Sequence, residues 1–185
     1  VHLGSQPLSV KAAIGKVEMR PGINIILNDP FSGGTHLPDI TLISPVYHPS
    51  NHGHQPDFFV ANRAHHADVG GLDPGSMPAP ISADGKSRRL TIDDEGWRIG
   101  PTILNEEIRC DLANTSRTPN ERYGDLRAQE AANLHGEKCI IKLLGEQHDL
   151  GTHNNNLIEY AEDRMQALLK DIPDGDYFFE DHLDD

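Results

Sequence analysis

Six of the eleven histidines in this 185-residue chain fall between His36 and His66, where an even spread would place about two. Two short segments there carry the same pattern. Gly33-Gly34-Thr35-His36-Leu37-Pro38-Asp39 and Arg63-Ala64-His65-His66-Ala67-Asp68-Val69-Gly70-Gly71 each contain His-x-x-Asp. In a turn, residues three apart can converge on one point. Neutral imidazole and carboxylate together suit a borderline divalent cation: Zn, Mn or Fe. The flanking glycines allow backbone tight enough to bring two loops together. In an extended segment His65 and His66 face opposite sides. One of the pair is then the ligand, and the other orients a ligand or meets substrate. His48, His52 and His54 lie in a stretch, 48–56, whose Pro, Ser, Asn and Gly content reads as a solvated loop.

Other chemistry is sparse. Asp29 could serve as ligand or base, but Asn28-Asp29-Pro30 is also an ordinary turn, and the turn is the reading preferred. No GxxxxGK[ST] or GxGxxG occurs, so the chain has no phosphate cradle of its own and is not expected to hydrolyse ATP alone. Cys110 and Cys139 are 29 residues apart without a CxxC, which reads as two reduced cytosolic thiols. A net charge of −13 repels phosphate backbones and anionic lipid, arguing against nucleic-acid and membrane partners. No apolar run reaches membrane-spanning length. The chain starts at Val1 with no basic-then-apolar leader, so no signal peptide is seen and a cytoplasmic location is expected. The start at Val1 suggests a processed chain or a piece of a longer one.

These residues need elements to position them. Ile23–Leu27, Ile40–Tyr47 (broken by Pro45) and Phe58–Asn62 are short β-branched or aromatic runs that predict strands. Residues 70–78 read as irregular. From 120 the pattern turns helical. Asp125–Gln147 lacks proline and places Leu126, Ala132, Ile140, Leu143 and Leu144 on a buried side, with Gly136 as a weak point. A second helix is expected to be capped by Asn156, with Glu159 three residues on and a core stripe of Leu157, Ala161, Met165 and Leu168. Asp125, Gln129 and Asn133 share a helix face, expected to be solvated or subunit-facing, with a substrate-facing stripe as the alternative. Seven acidic residues and no Lys or Arg lie between Asp171 and Asp185, a solvated end. The expected fold class is α+β, a single partial domain over 1–185. A strand- and loop-rich region at 1–110 carries the site, and a helical region spans 121–170.

Several longer stretches resemble the hydantoinase B/oxoprolinase family. They are Asn28–Asp39, Ala61–Gly71 followed by Pro74-Gly75-Ser76-Met77-Pro78, Asp94–Ile99, and Gly124–Asn133. The likeness spans 28 to about 136 and is weaker before 20 and after 150. Family domains are several times longer, so the chain resembles an internal fragment. The family includes N-methylhydantoinase B subunits, the C-terminal half of 5-oxoprolinase and the metal-bearing subunit of ketone carboxylases. The resemblance implies a hydantoinase A-type ATPase partner of the actin-like superfamily, which uses ATP to activate a carbonyl or amide oxygen, and a hetero-oligomer. It also implies that His36, Asp39 and His65 hold Mn or Zn, with Fe as a further candidate. His66 and Asp68 then become catalytic candidates that orient a ligand or meet substrate.

The function expected is an ATP-coupled, metal-dependent hydrolase opening a cyclic amide of 5-oxoproline or hydantoin type. The wording of GGTHLPD and RAHHADVGG leans toward that branch. A metal-bearing ketone carboxylase component and a non-catalytic interaction fragment are the alternatives.

Overall fold

The computed structural model describes residues 2–50, 55–146 and 150–182. The chain divides into two compact units, Val1–Lys142 and Leu143–Asp185. The expected α+β class is what the structure has.

The first unit is built on a four-stranded antiparallel sheet of order β3-β2-β1-β4, with β1 Ile25–Leu27, β2 Asp39–Val46, β3 Phe58–His65 and β4 Thr102–Ile103. Three of these strands are the β-branched and aromatic runs of the sequence. Pro45 is tolerated in the interior strand β2 because β1 pairs only with Thr41, Leu42 and Ile43. The missing N–H of Pro45 therefore falls past the end of that ladder.

Successive side chains alternate between the two faces of the sheet. Ile25, Leu27 and Ile43, with Phe59 and Ala61, pack with Ala13 and Val10 of helix α1, Gln6–Lys16. Ile26, Ile40 and Leu42 pack on the other face with Trp97, Leu112 of α2 (Glu106–Thr115) and Leu126 of α3 (Pro119–Glu146). Burial on both faces explains why every residue of β2 is buried.

Helix α1 is a correction to the expectation of strands and loops alone over 1–110. Pro7 is compatible with a first helical turn, but only Ser9 and Ala13 are buried, so the apolar periodicity is faint. Helix α3 begins at Pro119, earlier than expected. Of its expected inner stripe only Leu126 is buried; the other buried residues are Arg122, Gln129 and Asn133. The Asp125-Gln129-Asn133 face is thus not a uniform solvated face, because its last two amides find partners in the sheet. Gly136 has a packing reason: an added Cβ would lie 2.8 Å from Val60 Cγ1 of β3.

In the second unit, α4 runs Leu150–Leu169, so Asn156 is interior to the helix rather than its cap. Leu157, Met165 and Leu168 are 65%, 57% and 60% exposed, against the expected core stripe. Among the described residues of this unit, a helix followed by an acidic segment without regular structure offers no second layer to bury a stripe. Among the described residues no helix is long and apolar enough to cross a membrane. Cys110 and Cys139 are both free and exposed.

Candidate metal centre

The sheet register does most of the positioning. Asp39 and His65 are paired across β2 and β3 at the end of the ladder, so both project on the α1 face. The next rung on that face is Thr41 opposite Arg63. His36 arrives from the loop entering β2. That loop is tight: Gly33 has φ +96°, and a Cβ on Gly34 would lie 2.3 Å from the Asn28 carbonyl oxygen. The buried Asn28 amide ties the loop down, donating to the Leu37 and Trp97 carbonyls at 2.8 and 2.7 Å and accepting from Ile99 N–H at 2.7 Å.

Asp39 is the hub, with no solvent exposure. Its Oδ1 lies 2.9 Å from His36 Nε2 and 3.1 Å from His65 Nδ1. Its Oδ2 accepts from Thr35 Oγ1 at 3.1 Å and lies 3.3 Å from His2 Nε2. Burial pushes the carboxyl pKa up, but the contacts with His36, His65 and the Thr35 hydroxyl outweigh it. The group is held below the ordinary aspartate value and stays anionic at neutral pH. The His36 and His65 ring centroids are 5.1 Å apart, and those of His2 and His36 are 5.4 Å apart. The donor atoms of His2, His36 and Asp39 lie within 4.8 Å of one another.

His36 Nε2 is buried and makes no well-formed hydrogen bond despite its 2.9 Å approach to Asp39. A buried ring nitrogen without a well-formed hydrogen bond, beside an ionised carboxylate, is a donor pair that a cation could engage. Imidazoles with one carboxylate suit a borderline divalent ion such as Zn or Mn. The donor atoms of His2, His36 and Asp39 fit such an ion; His65 reaches the same carboxylate oxygen but is not in that group.

Arg63 braces this corner. Its guanidinium donates to Thr41 Oγ1 and Ser9 Oγ at 2.7 Å each, to Ser5 Oγ, and to the His2 carbonyl at 3.4 Å. Burial lowers its pKa and the Asp39 charge raises it. Its hydrogen-bond acceptors are neutral, and the Asp39 charge counters the effect of burial only in part, so the guanidinium pKa stays below its ordinary value.

The structure brings together His36, Asp39 and His65. It does not bring His66 or Asp68 to them. β3 ends at His65, and the next side chain points to the opposite face, where His66 is 1% exposed. The Gln129 Nε2 donates to the Ile40 carbonyl at 3.0 Å, an acceptor only, which fixes that amide's orientation. Gln129 Oε1 therefore faces His66 Nε2 at 2.9 Å, and His66 carries its proton there. His66 Nδ1 is buried without a partner. Burial lowers the His66 pKa, opposed by the Gln129 hydrogen bond, so the ring is neutral.

Asp68 does not close on His65. Its carboxylate accepts from Gly70 N–H at 2.8 Å, Gly75 N–H and Arg117 N–H at 3.4 Å each, and Arg117 Nη1 at 2.9 Å. Burial raises its pKa, but these donors outweigh that and hold it below the ordinary value. Asp68 staples the glycine loop 70–75 to the chain before α3. Asp29 forms the turn that its sequence suggested, accepting from Phe31 N–H at 3.1 Å and Ser32 Oγ at 3.0 Å. His48 N–H donates to Asp57 at 2.8 Å, while His52 and His54 lie outside the described residues.

Sequence reasoning missed His2, Arg63 and Gln129. His2 sits far from the histidine cluster in sequence. The signal for Gln129 was its place on the Asp125-Gln129-Asn133 face, where the polar side chains turn inward.

Two cavities open beside the centre. One of about 400 Å³ is lined by Arg63, His65, His66, Asp125 and Gln129 among others. One of about 200 Å³ is lined by His36, Pro38, Ser76, Met77 and Glu95 among others. A third, about 360 Å³ and lined partly by Gly22, Arg127 and Glu137, contains none of the candidate ligands.

Comparison with known proteins gives this chain relatives. Saccharomyces cerevisiae 5-oxoprolinase is 34% identical over 204 residues, covering all of this chain and 15% of that protein. The crystal structure of the ATP-dependent caprolactamase from Pseudomonas jessenii superposes with a TM-score of 0.78 at 28% identity, covering 94% of this chain and 30% of that one. Nucleotide-free acetone carboxylase shares the fold, with a TM-score of 0.62 at 21% identity over 79% of this chain and 19% of that one. The chain spans 11–31% of the length of the curated relatives it matches. The hydantoinase B/oxoprolinase family matches residues 1–185, so the likeness extends through both ends where the motifs are weak. The chain belongs to the hydantoinase B/oxoprolinase family.

Proposed function

We propose that this chain is the cation-holding part of an ATP-dependent hydrolase that opens a cyclic amide. The observation that carries the reading is the convergence of His36 and His65 on the buried, anionic Asp39, with His36 Nε2 buried and 2.9 Å from Asp39 Oδ1 without a well-formed hydrogen bond. The relatives support the substrate class, since 5-oxoprolinase and caprolactamase are both named for cyclic amides. A divalent cation held by His36, Asp39 and His65 would supply Lewis-acid polarisation of a carbonyl oxygen and acidify a water. Asp39 stays ionised beneath the rings and orients both. The Thr35 hydroxyl holds Asp39 in place, and the Arg63 charge on the next rung favours its ionised form. His65, at the lip of the 400 Å³ cavity, borders the space a small cyclic amide would enter. ATP is handled by a hydantoinase A-type ATPase partner, a reading supported by the relative named as a caprolactamase subunit beta.

The test is elemental analysis followed by a coupled assay. Chelator-free protein is expected to carry one divalent ion, lost in His36→Ala. With ATP and the partner, 5-oxoproline or a hydantoin is expected to be hydrolysed. Carboxylation of a ketone instead would assign the carboxylase reading. A metal-free, inactive protein would leave only an interaction role.

A further inference from the structure

We infer that Gln129 is a positioning residue for the metal centre, acting from the opposite face of the sheet. This rests on the reading that His36, Asp39 and His65 hold a divalent cation. Asp39 and His65 point toward α1, and their immediate neighbours Ile40 and His66 face α3. Gln129, 6% exposed, reaches both neighbours with one side chain. Its Nε2 donates to the Ile40 carbonyl at 3.0 Å and to Asn62 Oδ1 at 2.7 Å, and its Oε1 accepts from His66 Nε2 at 2.9 Å. The Asn62 amide returns a bond to the Gln129 carbonyl at 2.9 Å.

His66 N–H also donates to the Pro38 carbonyl at 2.8 Å, extending the pairing one step past the strand. The consequence follows from the period of a strand. Side chains alternate, so any rotation or slip of Ile40 or His66 on the back face moves Asp39 or His65 on the front. Gln129 pins both back-face residues to one rigid helix. An apolar residue there fills the space but leaves His66 Nε2, the Ile40 carbonyl and the Asn62 carbonyl oxygen without these partners. The ligands then lose their fixed separation.

Asn133, one turn further along α3, supplies the control. It bonds Asn62 at 2.7 Å and Ser44 at 2.9 Å and touches neither residue adjacent to a ligand. The experiment compares Gln129→Met and Asn133→Ala in the purified protein by Co²⁺ titration, the visible absorption of bound Co²⁺, and imidazole NMR of the metal-free protein. Gln129→Met is expected to lower Co²⁺ affinity by about 10–100-fold, the usual range for residues that orient ligands. It should also shift the Co²⁺ spectrum and move the His65 ring resonances in metal-free protein. Asn133→Ala should lower the melting temperature while changing affinity by less than about threefold. Wild-type affinity and unmoved His65 resonances in Gln129→Met overturn the inference, as does an equal affinity loss in Asn133→Ala. If the unaltered protein takes no Co²⁺, the metal reading fails, and the metal-free His65 resonances still decide whether Gln129 positions that ring.

Discussion

The two His-x-x-Asp segments have identical spacing and opposite fates. His36-Leu37-Pro38-Asp39 closes on itself, with His36 Nε2 2.9 Å from Asp39 Oδ1. His65-His66-Ala67-Asp68 opens out. His65 turns to Asp39 of the other segment, and Asp68 turns to glycine amides and Arg117. The difference lies in the backbone that carries each. The first segment is a turn entering a strand, with Asp39 N–H bonded to the His36 carbonyl at 3.0 Å. The second is the last residue of a strand followed by a loop with left-handed glycines at φ +90° and +84°. Spacing proposes which residues can meet, and the local backbone decides which do. One aspartate became the point on which two imidazoles converge and the other a structural staple.

That contrast can be broken most sharply at the aspartates themselves. Asp39→Asn is expected to reduce divalent-cation affinity by more than about 100-fold, beyond the range set by residues that only orient ligands, whereas Asp68→Asn should leave it within about threefold. A chelator-competition titration reads both, and equal losses would erase the distinction.

The glycines come next. An added Cβ at Gly34 meets the Asn28 carbonyl at 2.3 Å, and one at Gly71 meets the Glu95 carbonyl at 2.5 Å with φ at +84°. Each alanine variant should cost about 2–4 kcal/mol in denaturant unfolding, the scale of backbone strain and clash. Only Gly34→Ala should also weaken cation binding, because its loop delivers His36.

Asp68→Asn should then cost about 1–3 kcal/mol at neutral pH, because the buried Gly70 N–H and the part-buried Gly75 and Arg117 donors lose an ionised acceptor. Its native pKa lies below the ordinary 3.8. The stability that it contributes is therefore full above that value and lost as pH falls through the lower native value. The gap between wild type and variant should be constant above about pH 5 and shrink below pH 3.8. A gap that grows on acidification would mean the carboxylate is not the stapling form. The smallest effect is expected at Asp29→Ala, about 1 kcal/mol for loss of a capping side chain, with cation affinity unchanged. A marked affinity loss would return Asp29 to the list of ligands.

Much of this was written in local sequence. The β-branched runs became β1, β2 and β3 because such side chains favour a pleated, two-sided layer. The separation of His65 from His66 followed from the two-residue period of a strand, and the turn at Asn28-Asp29-Pro30 from the capping chemistry of its aspartate. The family signatures lie in the same segments, since the glycines and polar residues that shape the site are consecutive in the chain.

Only the tertiary structure decided the rest. Gln129 and Asn133 look like a solvated helix face, because a sequence cannot show that the Ile40 carbonyl and Asn62 lie opposite them. The stripe of Leu157, Met165 and Leu168 looks like a core, because periodicity reports an amphipathic helix and not whether a second layer covers it. His2 stands 34 residues from His36, yet its ring reaches Asp39 because Ser5 and Arg63 tie the start of α1 to the sheet. Local propensity and period act over a few residues. Which buried polar group finds its partner is a property of surfaces brought together from distant parts of the chain.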